Sequence, residues 1–385
     1  MLRFRLFAFS ALAMVGWCQT NPPSGNSSLP GGSTQNPGGQ PPGGNPGSNP
    51  GSGGDSGGGD GQPDGLPPPP PPEKLQLVKT ITLSDAVTEM LVDGNYLYIA
   101  QDGSAGVDFF SISDRLNPAK VAHYTPRDNV SGMYQAGNKL YTAETQYGLG
   151  IIDVSNPLSP SFIAGVQSFN GLHNDVVVKT FFQPITTIAF VSNTPRGVVR
   201  IDVTDPHNAV TITPDLDTGN GAGDMVFGGL APGPNLYVET IGGSKDILVQ
   251  AIPGMSYLGG YSSGGGVLAL RVIVTTLWAS RESGGYDWLR MNTTPIRDGG
   301  YVGPELFTDA SESLTLNVLA LAATYHGLQI RSNDALLASY AAPSGFITNK
   351  VKFASSINSN VIYATERSTN PASTASYLRV FTYTP

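Results

Sequence analysis

Cysteine is almost absent from this chain of 385 residues, which has only Cys18, and histidine occurs four times. A lone cysteine cannot form an internal disulfide, so a disulfide framework and a cysteine-based zinc cluster are excluded. Four histidines leave little room for a histidine-rich metal site. Positive charge is also scarce: 21 Lys and Arg stand against 29 Asp and Glu, for a net charge of -8. A protein that tracks nucleic-acid phosphates needs a basic face, so no nucleic-acid partner is expected. No long amphipathic helical periodicity runs through the chain, which excludes a helical solenoid. Glycine and proline, in contrast, are abundant, with 48 and 31 residues. They are concentrated in one segment, so the average composition mixes two different polymers.

Residues 1–18 have the pattern of an export signal. Arg3 and Arg5 form a positive start, and Leu6 to Gly16 is an apolar run broken only by Ser10. The run is shorter than the roughly 20 residues a permanent membrane helix needs, and it fits a signal peptide. Val15-Gly16-Trp17-Cys18 resembles a bacterial lipobox, which implies lipidation of Cys18. Trp17 departs from the small residue expected there, and simple secretion is the alternative. Either way the mature protein is expected outside the cytoplasm, at the cell surface or in the periplasm.

Residues 19–74 read as a disordered tether. Of the 52 residues from Asn21 to Pro72, 16 are Gly and 15 are Pro, with no Lys, Arg, His or aromatic residue. Such a segment cannot bury enough apolar surface to offset its chain entropy. Its last part, Pro67 to Pro72, favours a polyproline rod of about 19 Å.

From Leu75 to Pro385 the chain becomes a repeat array. One apolar strand recurs, as in Leu97-Tyr98-Ile99-Ala100, Leu140-Tyr141-Thr142-Ala143, Ala189-Phe190-Val191-Ser192 and Leu277-Trp278-Ala279-Ser280. About thirteen residues after each comes a second, as in Ile151-Ile152-Asp153-Val154. Tight turns such as Asn156-Pro157 and Asp205-Pro206 follow. Several short strands per unit of about 44 residues mark a β-propeller blade. The array therefore predicts an all-β, seven-bladed β-propeller. Six blades are the alternative if Leu314 to Tyr340 joins its neighbour. The final unit is one strand short, and Leu75 to Leu83 has no unit of its own. That N-terminal strand is expected to complete the last blade and so remove two exposed sheet edges.

Tyr147-Gly148-Leu149-Gly150-Ile151-Ile152-Asp153-Val154-Ser155-Asn156-Pro157 resembles the LVIVD repeat of bacterial and archaeal surface propellers. Gly197 to Pro206 is similar. The resemblance implies a propeller at the cell surface and implies no reaction.

Few residues point to chemistry. Asp153 and Asp202 repeat in a position suited to accepting turn N–H groups. Tyr98, Tyr141, Phe190, Tyr237 and Trp278 share one strand position suited to packing between blades. Asp102, Glu144, Glu239, Glu282 and Glu366 lie near the end of the same strand in five units, which predicts a ring at one mouth of the channel. Glu89, Asp175 and Asp224 fall on the innermost strand, and His173 lies beside Asp175. Carboxylates gathered in this way raise one another's pKa or recruit a cation, so calcium is the one candidate cofactor. No catalytic residue stands out: His173 lacks a nucleophile elbow or an HExxH helix, and the loop glycines at 259–260 and 264–266 lack a phosphate-binding Lys-Ser/Thr pair. The expected role is that of a monomeric, non-catalytic binding module for an envelope protein or glycan. The alternatives are a lactonase-like hydrolase with a channel metal and an envelope assembly scaffold.

Overall fold

The computed structural model describes residues 74–167, 171–228, 235–242 and 245–385. The export segment, Cys18 and all but the last residue of the tether lie outside the described residues. The strands form seven four-stranded antiparallel sheets. The innermost strands are Val87–Asp93, Val130–Ala136, Leu172–Phe182, Ala222–Gly228, Val267–Ile273, Asp309–Ser313 and Phe346–Phe353. Each contacts the next, and Phe346–Phe353 returns to Val87–Asp93, so the sheets close into a ring. This is the seven-bladed all-β propeller expected from the repeat spacing. The segment from Leu314 to Tyr340 belongs to a blade of its own, blade six, built around Val318–Ala322 and Leu328–Ser332.

Blade seven is made from both ends of the array. Phe346–Phe353, Val361–Ser368 and Ser376–Tyr383 are completed by Leu75–Leu83, which pairs antiparallel with Ser376–Tyr383 from Leu75 opposite Tyr383 to Leu83 opposite Ser376.

Burial explains why the middle strands of each blade are the apolar ones. Tyr96–Gln101, Lys139–Glu144 and Asn235–Thr240 are buried at all positions but the first, because neighbouring blades cover both of their faces. A strand covered on both faces reads as a continuous apolar run. Outer strands such as Ala119–Tyr124 meet solvent on one side and lose that signature. Tyr98, Tyr141, Phe190, Tyr237, Trp278 and Tyr363 are all essentially buried. Each packs into the cluster shared with the following blade, as Trp278 does with Ala310 and Phe307. Truncating such a side chain to alanine costs about 3–5 kcal/mol. Asp153 and Asp202 accept the N–H groups of Ser155 and Thr204 at 2.8 and 2.9 Å, closing the turns that follow them.

Deleting residues 75–83 exposes the edge of Ser376–Tyr383 and opens the hydrophobic contact that Leu75 and Leu83 make in two clusters. The expected outcome is a lower melting temperature and self-association, read by thermal denaturation and size-exclusion chromatography. A fully stable monomer after the deletion contradicts closure by this strand.

Candidate functional site

The innermost strand of each blade has one sheet neighbour and one free edge, which faces the channel and the next blade. Buried backbone N–H groups need acceptors. Six of the seven inner strands carry a register shift against their sheet neighbour, as between Val87 and Glu89, His173 and Val176, or Ala222 and Met225. A bulge re-aims the side chain beside it. Here that side chain reaches the next blade.

Asp175 accepts the N–H of Met225 at 2.9 Å, Asp224 that of Leu270 at 3.2 Å, and Asp309 that of Val351 at 3.1 Å. Other junctions use neutral groups. Thr88 donates to the Val130 carbonyl, Ser131 to that of His173, Asn174 to that of Ala222 and Asn349 to that of Val87, each at 2.6 Å. Between blades five and six, the Arg271 guanidinium reaches Asp309 at 2.7 Å. A belt of polar contacts therefore crosses all seven blade junctions.

The sequence-predicted carboxylates Glu89, Asp175 and Asp224 do lie on inner strands. Three cations and a fourth acid that sequence reasoning missed join them. Lys350 pairs with Glu89 at 2.9 Å, Arg271 bridges Asp224 at 2.9 Å and Asp309 at 2.7 Å, and Lys352 meets Asp309 at 2.8 Å. Positive charge facing these carboxylates thus comes from the chain's own side chains. Asp309 occupies the register of Asp175 and Asp224, one residue before a buried apolar position, so aligning the inner strands would have found it.

Burial raises the Asp309 carboxyl, but Arg271, Lys352 and Lys350 outweigh that and hold it below the usual range. Burial pushes Asp175 up to about 7, helped by the charges of Asp224 and Glu89 and opposed by the N–H bonds of Met225 and Val176. Among the described residues, Asp175 has no cation of its own within salt-bridge distance and is the odd fourth carboxylate against three cations. Gly132, across the junction, makes room for it. A Cβ there would come within 2.7 Å of the Asp175 Cα and Oδ1.

His173 is buried, which lowers its pKa and keeps the ring neutral. Its Nδ1 donates to the Thr145 carbonyl at 3.1 Å, and Nε2 faces the Asn193 amide at 3.4 Å. It ties blade three to the preceding blade.

The five acids placed at a channel mouth share one end of the blades, but their side chains take separate partners on strands and loops. Asp102 accepts from Gly103 N–H and Asn129 Nδ2. Glu144 is buried, accepts the Arg127 N–H at 3.1 Å and is bonded by Thr142. Glu239 accepts the Asp224 N–H at 2.9 Å. Glu366 pairs with Arg379 at 2.8 Å. Glu282 is partly buried near Asp246, and burial first, then that charge, raises it. Among the described residues, no three His, Cys, Asp or Glu side chains converge in a metal-holding group.

Strand direction alternates, so the first and third turns of every blade lie on one face and the remaining links on the other. Val302 and Tyr325 are exposed on the side of these acids, and the opposite face exposes more apolar residues. Its first-turn tips expose Phe182 and Ile185 in blade three, Val274 in blade five, Leu314 in blade six and Ile357 in blade seven.

Seven four-stranded meanders closed around a charge-filled channel make this protein a β-propeller. Within that class, residues 86–125 and 130–167, which span blades one and two, match the LVIVD repeat. Among solved structures, the chain resembles the β-propeller domain of Cps50 (Swd1) from Myceliophteria thermophila, with a TM-score of 0.63 at 12% identity, covering 80% of this chain and 100% of that one. It also resembles the computationally designed protein Ika8, with a TM-score of 0.55 at 11% identity over 77% of this chain and 83% of that one. At these identities the likeness concerns the fold alone. Compared with curated proteins, the sequence has no match.

Two outcomes check the channel. Asp309→Ala leaves Arg271 and Lys352 buried without their shared partner, and removing one member of a buried pair costs about 3–5 kcal/mol. Denaturant unfolding should show that loss. Asp175 has a raised folded pKa, so its contribution to stability is full below the unfolded value near 3.8 and is lost as pH rises through about 7. Stability should therefore fall between those limits, and the slope should flatten in Asp175→Asn. An unchanged slope in the variant removes Asp175 as its source.

Proposed function

We propose that the protein is an exported, lipid-anchored cell-surface propeller that acts as a non-catalytic binding module for an envelope protein. Exposed apolar side chains on one face carry this reading. Phe182 is 78% and Ile185 70% exposed, and the two sit directly opposite each other at the tip of the longest inner hairpin. Val274, Leu314 and Ile357 extend the apolar surface over the tips of blades five to seven. Apolar side chains gathered on one face favour burial against a partner protein. The channel suits a structural role, because its charges pair with one another. Among the described residues no helix is long and apolar enough to cross a membrane. In this reading the anchor is the lipid on Cys18, and the Gly/Pro segment holds the propeller away from the membrane.

Two experiments test it. Cys18→Ser should move the protein from the membrane fraction to the soluble fraction, and unchanged fractionation rejects lipid anchoring. Phe182→Asp combined with Ile185→Asp should leave the melting temperature within about 1 °C, since surface changes rarely exceed 0.5 kcal/mol. It should abolish the protein crosslink formed on intact cells. Persistence of the same crosslink places the contact elsewhere.

A further inference from the structure

The exposed apolar side chains of this protein are distributed one-sidedly. Among the described residues, every large apolar side chain exposed at the surface, except Val302 and Tyr325, lies toward one end of the blades. Leu158, Phe182, Ile185, Val274, Leu314 and Ile357 occupy the turns and hairpin tips of that face. The rest, such as Ile296 and Leu336, fall in the first half of an outer strand, which starts from the same face. Blades two to seven all contribute, so the apolar surface extends across the ring. An apolar surface of this breadth marks a contact site.

The chain enters the propeller at this same end. Leu75 lies opposite Tyr383 and Leu83 opposite Ser376, and Ser376–Tyr383 is a third strand, which runs toward the apolar face. One residue further out, the Lys74 carbonyl accepts the Thr384 N–H at 2.7 Å, and the Tyr383 N–H donates to the Asn360 carbonyl at 2.9 Å. Asn360 shares the first turn of blade seven with the exposed Ile357. The entry point is therefore beside one of the apolar tips.

Residues 19–73 join Cys18 to Lys74. A Gly-rich chain of that length spans about 40 Å on average, and a folded domain of roughly 100 residues is about 34 Å across. With the apolar face toward the anchor, that reach leaves space for one such domain beneath the propeller. With the acid face toward the anchor, the chain has first to pass back along the nine-residue outer strand of blade seven, about 30 Å, and the apolar side chains are left in water.

We infer that the partner of the apolar face is a protein held in the same membrane as the Cys18 anchor, with its exposed domain seated between that membrane and the propeller. The inference rests on the lipid anchor and the partner protein proposed above and adds where that partner sits. Two proteins held at one surface meet at a high effective concentration, so a modest apolar contact is sufficient.

A benzoylphenylalanine photoprobe in place of Ile357, or of Tyr325 on the acid face, tests this in the full chain carrying Cys18→Ser. The purified protein is added to membranes prepared from the cells that make it and is irradiated. The Ile357 probe should give a protein adduct that stays with the membrane pellet through a carbonate wash, whereas the unlinked variant washes off. The Tyr325 probe should give at least fivefold less. In the anchored protein, deleting residues 30–60 leaves a tether that spans about 27 Å. That deletion should cut the adduct several-fold, and a Gly/Ser segment of the original length should restore it. An adduct that carbonate releases, equal yields from the two probes, or an adduct undiminished by the deletion overturns the inference and leaves the partner reading in place. Saturable binding of the Cys18→Ser protein to protein-free vesicles of phosphatidylethanolamine and phosphatidylglycerol assigns the face to lipid and also overturns it. Absence of any adduct overturns the partner reading together with the inference.

Discussion

The free edge of each innermost strand is the constraint on which the ring depends. A strand at a sheet edge offers N–H groups that water or another strand must satisfy. In this propeller the preceding blade satisfies several of them through side chains. Asp175, Asp224 and Asp309 each accept an N–H from the following inner strand, and Ser311 accepts that of Phe353 at 3.0 Å. Hydroxyls and amides do the complementary work on carbonyls. The contacts are short and directional, so they set the rotation between blades as well as holding them together. Leu75–Leu83 solves the same problem at the rim, where it covers the edge that the last blade would otherwise present.

Acceptors of this kind bring charge into the centre of the molecule, and the charge then needs partners. Arg271 serves two acids on two different blades, and Lys350 and Lys352 extend alternately from one strand to Glu89 and Asp309. Asp175 is left with backbone donors alone, which is why burial and neighbouring charge favour its protonated form. The channel therefore resembles a polar core. The two outer faces carry different side chains. Acids on one side are held by strand and loop partners, whereas hairpin tips on the other side present Phe182, Ile185, Val274, Leu314 and Ile357 to solvent.

The legibility of each element follows from its burial. Second and third strands are covered on both faces, so most of their residues are apolar and the repeat stands out. Inner strands have half-buried positions and a bulge that breaks the two-residue alternation. Glu89, Asp175 and Asp224 stood out beside recognisable apolar neighbours, whereas Asp309, on the one inner strand without a register shift, and its partners Arg271, Lys350 and Lys352 did not. The side-chain directions of the acids after the second strands depend on the backbone N–H groups they meet, such as that of Arg127 for Glu144 and that of Asp224 for Glu239.

The repeat count and the closing strand were written in local composition and spacing, because those properties act along the chain. The pairing of channel charges and the burial of a neutral His173 between blades were decided only by the tertiary structure. Each joins residues from different blades, tens to hundreds of positions apart. Their meeting depends on how the ring rotates one sheet against the next.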